Sequence, residues 1–203
     1  METLILVRHA LAGSNRDGTA SGTVPGDGLT PEGVEQARAL GEVLAGEEID
    51  LGVSSELART QETLELALDG RNVPRLVVPE LNEIHFGSFD GGLLDEYRAW
   101  AAAHDPTVPA PGGGESRGQA AARFTRGLRV LLGRPEATAL VVGHALALRY
   151  LLDAASGLVP AARMAPVEHA LPYRVGVREA TAAAALLDEW SRAPRFRAAP
   201  REE

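Results

Sequence analysis

Short apolar runs that end in polar residues recur along this chain, separated by stretches whose apolar residues lie three and four apart. Leu4-Ile5-Leu6-Val7 runs into Arg8-His9, Leu51-Gly52-Val53 into Ser54-Ser55, Leu76-Val77-Val78 toward Glu80, and residues 138–142 into Gly143-His144. Short β-prone runs of this kind read as buried strands. The stretches between them read as helices. Val34, Ala37, Leu40 and Leu44 share one face after Thr30-Pro31, a pair suited to a helix cap and first position. Further helices are expected over 56–68, with Arg59 in the first turn, over 93–103, over 117–132 with Ala121, Phe124, Leu128 and Leu131 on one face, and over 145–155. Residues 173–177 alternate like a strand; 182–190 favour helix but also fit the returning arm of a hairpin. Residues 10–28 read as a long loop, 106–114 as a Pro/Gly-rich break, and the Pro- and Arg-rich stretch from Ala193 as a disordered tail.

Strands alternating with helices predict an α/β fold: one three-layer domain over 1–192, its central sheet mostly parallel and flanked by helices, with a helical lid insertion at about 87–135. In such a sheet the C-terminal strand ends share one edge, where ligands bind. Arg8-His9, the Ser54-Ser55 turn before Arg59, and Gly143-His144 then lie on that edge, with Val7 and Val142 on neighbouring strands.

Composition narrows the setting. A chain of 203 residues, 45% hydrophobic, should bury roughly 70% of its unfolded surface. The net charge of −8 speaks against general nucleic-acid binding but not against an anionic substrate, because a local arginine cluster can be positive inside an acidic protein. No run approaches the ~20 apolar residues of a membrane span, cysteine is absent, and the first strand begins within a few residues of Met1. The expected setting is the cytoplasm, with no membrane partner; the sequence leaves a homodimer open.

An arginine beside a histidine at a strand end suits an anion and a nucleophile. Gly112 to Gly114 lacks the Gly-Lys-Ser/Thr ending and the preceding strand of a phosphate loop, so it reads as a hinge or lid loop. No cofactor is expected. A metal between His9 and His144 is disfavoured because the surrounding arginines would repel a cation.

Five motifs in order carry a resemblance: Leu6-Val7-Arg8-His9-Ala10 with Asn15 six places after the histidine; Leu29-Thr30-Pro31-Glu32-Gly33-Val34-Glu35-Gln36-Ala37; Ser54-Ser55-Glu56-Leu57-Ala58-Arg59-Thr60-Gln61-Glu62-Thr63; Leu81-Asn82-Glu83-Ile84-His85-Phe86-Gly87-Ser88-Phe89-Asp90-Gly91; and Val142-Gly143-His144. Each alone is weak. Together, from residue 4 to about 155, the chain resembles the histidine phosphatase superfamily, the phosphoglycerate mutase-like fold. Ala10 stands for the usual glycine, Leu11 where Glu is common, and Ala145-Leu146 for the glycines that often follow the second histidine.

The resemblance implies that His9 is the nucleophile, neutral and held through its other ring nitrogen by a backbone carbonyl. Arg8 and Arg59 grip non-bridging oxygens in bidentate fashion. Asn15, Ala145 and His144, for which the protonated form is allowed, are further phosphate contacts, and Glu83 protonates the leaving oxygen. Arg98, Arg117 and Arg123 are candidates for other anionic groups of the substrate. His85, His104 and His169 are read as structural, with His85 nearest the rim. The implied activity is a phosphomonoesterase acting through phosphohistidine on a small phosphorylated metabolite. The alternatives are mutase-type transfer, disfavoured by the compact stretch from Ser54 to Glu83, and a protein-phosphohistidine phosphatase. A catalytically dead binding module ranks last, because every core group is present.

Overall fold

A computed structural model describes residues 1–197. The alternation becomes β1 (Thr3–Arg8), α1 (Gly13–Asp17), α2 (Pro31–Val43), β2 (Leu51–Ser54), α3 (Ala58–Ala67), β3 (Arg75–Val77), α4 (Leu94–Ala103), α5 (Arg117–Leu132), β4 (Thr138–Gly143), α6 (Ala145–Ala155), β5 (Pro172–Gly176) and α7 (Val177–Arg192). The strands form one sheet in the order β3-β2-β4-β1-β5. The first four are mutually parallel, and β5 runs antiparallel to β1 at the edge.

The strand period of two sorts the core into layers. Leu4, Leu6, Val53 and Val141 face α5, α6 and α7 through Leu128, Leu131, Leu148 and Ala184. Ile5, Val7, Leu140 and Val142 face α2 and α3 through Leu40 and Leu64. Thr30 caps α2, its Oγ1 accepting from Gly33 N at 3.0 Å, and Ser116 and Gln119 form a reciprocal capping box at the start of α5. The β1–β4 register pairs Val7 with Val142 and Arg8 with Gly143. His9 and His144 therefore leave adjacent strands side by side.

Several expectations change. Residues 182–190 are helical within α7, whose Ala180, Ala183, Ala184, Leu187 and Trp190 bury one face; β5 finds its antiparallel partner in β1 instead. Residues 193–197, expected as tail, pack: Trp190 Nε1 donates to Arg195 O at 2.7 Å, and Arg197 Nη2 reaches Asp153 Oδ2 at 2.9 Å. A buried indole N–H needs an acceptor, and the returning chain supplies it. The rest of that tail lies outside the described residues. The loop after β1 contains α1. Within the span expected as a lid, α5 is a layer helix, since Leu128 and Leu131 pack on the sheet.

The cover over the C-terminal edge is α4 with the loops beside it, built on Phe86, Phe89, Tyr97 and Trp100; the Phe86 and Tyr97 rings meet edge-to-face at 4.7 Å. The triple-glycine stretch is a packed turn. Ser88 N donates to Pro111 O at 2.7 Å, and a Cβ at Gly87 (φ 60°) would stand 2.1 Å from that oxygen. Among the described residues no helix is long and apolar enough to cross a membrane.

Candidate active site

β1 ends at Arg8, and the two residues after His9 are braced by the expected motifs. Ala10 N donates to Thr63 Oγ1 at 3.0 Å, Leu11 N to Gln36 Oε1 at 2.9 Å, and Thr30 N to Leu11 O at 2.9 Å. Gly33 lets α2 approach this closely, since a Cβ there would lie 2.1 Å from Leu11 O. Motif positions in α2 and α3 that carry no chemistry thus fix the backbone beside His9.

His9 is 2% exposed, and its Nδ1 lies 2.8 Å from Ala10 O. A carbonyl only accepts, so Nδ1 carries the proton and Nε2 the lone pair. Arg59 Nε donates to that Nε2 at 3.2 Å. Burial, then His144 and Arg59, hold the His9 pKa well below the ordinary imidazole value of 6.5, so the ring is neutral.

Arg59 enters from the first turn of α3, 3% exposed. Its Nη2 donates to Ser21 O at 2.7 Å, and its Nη1 lies 3.4 Å from Asp27 Oδ1. Arg8 Nη1 donates to Val167 O at 2.8 Å, while its buried Nε has no partner among the described residues. Burial lowers the pKa of both guanidinium groups, and the Glu83 charge works against that shift in each.

Arg8, His9, Asn15, Arg59, Glu83 and Ala145 line one cavity of about 80 Å³, whereas His144 does not reach its wall. His144 is fully buried behind Arg59, its ring 5.3 Å from that of His9 and its Nδ1 3.5 Å from Arg59 Nη2; its Nε2 lies 2.9 Å from Ser55 Oγ. Burial, then Arg59, press its pKa well below 6.5, which favours the neutral ring over the imidazolium that the sequence allows. Asn15 sits in α1 with its Oδ1 accepting from Ala12 N at 3.2 Å. That leaves its amide N–H groups as the donors.

Glu83 is half-buried, and its Oε1 accepts from Ile84 N at 2.9 Å. Its loop is clamped by Arg123, whose Nη1 donates to Glu80 O and Asn82 O and whose Nη2 donates to Glu83 O, while Glu115 pairs with the same guanidinium at 2.6 Å. Arg123 is therefore taken up by the loop, and of the three candidate arginines only Arg98 and Arg117 line the cavity. Burial pushes Glu115 up, but the hydrogen bond and charge of Arg123 outweigh it and hold the carboxyl below its ordinary 4.5. A depressed carboxylate contributes stability above its unfolded pKa and loses it as pH falls through the folded one. Arg123→Met should lower the Tm at pH 7 by roughly 4–8 °C, about 2 kcal/mol. Melting curves at several pH values should keep that gap at pH values above the ordinary carboxylate range and narrow it below.

Two placements escaped the sequence reading. His169 Nδ1 donates to His9 O at 2.7 Å, and the two rings stand edge-on at 5.5 Å. His85, expected near the rim, is exposed and outside the cavity wall. His169 lies in an aperiodic stretch 160 residues from its partner, so no local pattern marks it. Ser21 and Asp27, which hold the Arg59 fork, are equally unmarked.

A family model described as the histidine phosphatase superfamily (branch 1) matches residues 4–189. The chain belongs to this superfamily. It is 39% identical over 119 residues to the adenosylcobalamin/alpha-ribazole phosphatase of Escherichia coli strain K12, a match covering 55% of this chain and 58% of that protein. A 2,3-bisphosphoglycerate-dependent phosphoglycerate mutase of Brucella ovis is 33% identical over 174 residues, 78% of this chain and 83% of the mutase. The crystal structure of the alpha-ribazole phosphatase from Shigella flexneri superposes with a TM-score of 0.72 at 29% identity, covering 85% of this chain and 89% of the other. As a member of branch 1 of this superfamily, the chain has the fold that its sequence motifs led one to expect, with His9 and His144 at the ends of adjacent strands.

Proposed function

We propose that this protein is a phosphomonoesterase that cleaves a small phosphorylated metabolite through a phosphohistidine at His9. The observation that carries this reading is the fixed tautomer. With Nδ1–H held by Ala10 O, the Nε2 lone pair points at Arg59 inside the cavity that Glu83 and Arg8 also line.

In the first half-reaction, His9 Nε2 attacks phosphorus, the P–O bond to the leaving alcohol breaks, and Glu83 gives its proton to that oxygen. Arg59 exchanges its bonds to His9 and Ser21 for the non-bridging oxygens. Arg8, with its unpartnered Nε, takes another. Asn15 and the N–H of Ala145 at the start of α6 complete the cradle. His144, neutral and buried, orients Arg59 from behind. In the second half-reaction, the Glu83 carboxylate takes a proton from water, the hydroxyl attacks phosphorus, and the P–N bond breaks to release phosphate and neutral His9.

The Brucella relative keeps a mutase reading in view, in which the phosphoryl group returns to a second hydroxyl. Stoichiometric release of inorganic phosphate from a panel of phosphomonoesters supports the phosphatase; isomerised substrate without release supports the mutase. Phosphate release should survive EDTA, because arginines here carry the charge that a divalent ion supplies in metallophosphatases. Activity lost to EDTA and restored by Mg²⁺ or Zn²⁺ would count against this site. A chain without cysteine supports a cytoplasmic setting for the reaction.

A further inference from the structure

The cavity at His9 adjoins a larger one of about 690 Å³, a volume in the range that holds metabolite-sized ligands. Arg8, Arg98, Arg117 and Met164 line both cavities, and Arg163 lines the outer one. The rest of the outer wall is small and apolar, and it includes no Asp or Glu among the described residues. In a chain of net charge −8, four arginines on a wall without a carboxylate are a local positive bias, of which Arg98 is already paired with Asp95 at 2.9 Å outside the lining.

Arg117 is the decisive one. Its side chain is 7% exposed, and its buried Nε has no hydrogen-bond partner among the described residues. Among the described residues Nη1 reaches the Met164 thioether and Nη2 Ala162 O, each at 3.4 Å, and the Tyr150 hydroxyl, itself without a partner, is a further neutral neighbour. A thioether is a weak acceptor, and a carbonyl at that length is a poor one. The Tyr150 ring, 5.9 Å from Cζ, gives a partial cation–π contact. Arg123, six residues along the same helix, has a full carboxylate partner in Glu115, so the lack of one at Arg117 is not a general property of α5. A buried guanidinium without a counter-ion is costly, and an anion delivered by a ligand would offset that cost.

We propose that the outer cavity is a leaving-group subsite for phosphomonoesters that carry a second anionic group, carboxylate or phosphate, with Arg117 as its main contact and Arg163 at its mouth. This rests on the phosphatase reading above and adds a substrate class to it. The phosphoryl group sits at His9, the small apolar wall takes the carbon skeleton, and the far anion pairs with Arg117.

Matched substrate pairs test it: 3-phosphoglycerate against glycerol 3-phosphate, 6-phosphogluconate against sorbitol 6-phosphate, and fructose 1,6-bisphosphate against fructose 6-phosphate. The first two pairs probe a carboxylate at short and long reach, and the third probes a phosphate. p-Nitrophenyl phosphate reports the basic reaction. In at least one pair, kcat/KM should favour the anionic member by about tenfold or more, the usual worth of a charge-assisted hydrogen bond. Arg117→Met keeps the buried stem and should bring that ratio to about unity, whereas Arg117→Lys should keep part of it. Arg163→Gln, at an exposed position that does not endanger folding, should reduce the ratio by a smaller factor. Turnover of p-nitrophenyl phosphate with no preference in any pair would overturn the subsite and leave the phosphatase reading standing. A preference that survives both Arg117→Met and Arg163→Gln would also overturn it. No phosphate released from any compound would defeat the phosphatase reading itself, and the subsite with it.

Discussion

His9→Ala should abolish turnover, cutting kcat by roughly 10⁴-fold or more, the scale seen when an enzyme loses its nucleophile. The substitution removes the atom that attacks phosphorus while leaving Arg8, Arg59 and Glu83 in the cavity wall. Binding should survive better than chemistry. The fold should survive too, because β1 is held by its pairing with β4 and β5 and the His9 backbone N still donates to Gly143 O at 3.0 Å. His9 is nevertheless nearly fully buried, so the melting curve of the variant should be recorded beside its activity. The Arg59 bond to Nε2 is also lost, and Arg59 then relies on Ser21 and Asp27. A folded His9→Ala protein that turns over at near the original rate would mean that the nucleophile has been misassigned.

Glu83→Gln should separate substrates by their leaving groups. Glutamine keeps the shape and can still accept from Ile84 N, as Glu83 does at 2.9 Å, but it cannot donate a proton as an acid. Alkyl phosphates have poor leaving groups and should slow by ~10²–10⁴-fold, the usual worth of a general acid. p-Nitrophenyl phosphate needs little protonation, so rapid-quench measurement should find phosphorylation of His9 slowed much less. The second half-reaction still lacks its base, so phosphoenzyme should accumulate with that substrate as a burst followed by a slow steady state. Equal slowing of phosphorylation for both substrate classes would remove Glu83 from the acid role and leave its loop as a wall of the pocket.

Much of this arrangement is legible along the chain because it follows local periodicity. Continuous apolar runs ending in Arg8-His9 and Gly143-His144 mark the strands, and right-handed crossovers in a parallel sheet bring their ends to one edge. The bounds of α5 and α6 follow from the 3.6-residue spacing, and Ser116 caps the first of them. What escapes is set by contacts between distant parts of the chain. His169 reaches His9 O from a segment with no period of its own, and His144 lies off the cavity wall with its Nδ1 3.5 Å from Arg59 Nη2. The roles of Arg117 and Arg123 look alike in sequence. They diverge only because Glu115 and the carbonyls of the Glu83 loop meet one and not the other. Residues 182–190 are ambiguous in sequence for a related reason: their alanines fit helix or hairpin arm, and packing against α5 and α6 decides.

The central claim, a phosphoryl group carried on His9, is tested most directly by trapping it. The enzyme is mixed with a radiolabelled phosphomonoester, quenched within milliseconds and digested, and the labelled peptide is mapped. Label should appear on the peptide containing His9, be lost in acid and stable in alkali, and be absent from His9→Ala. Steady turnover with no trapped label on that peptide, or with the label on another residue, would contradict the claim.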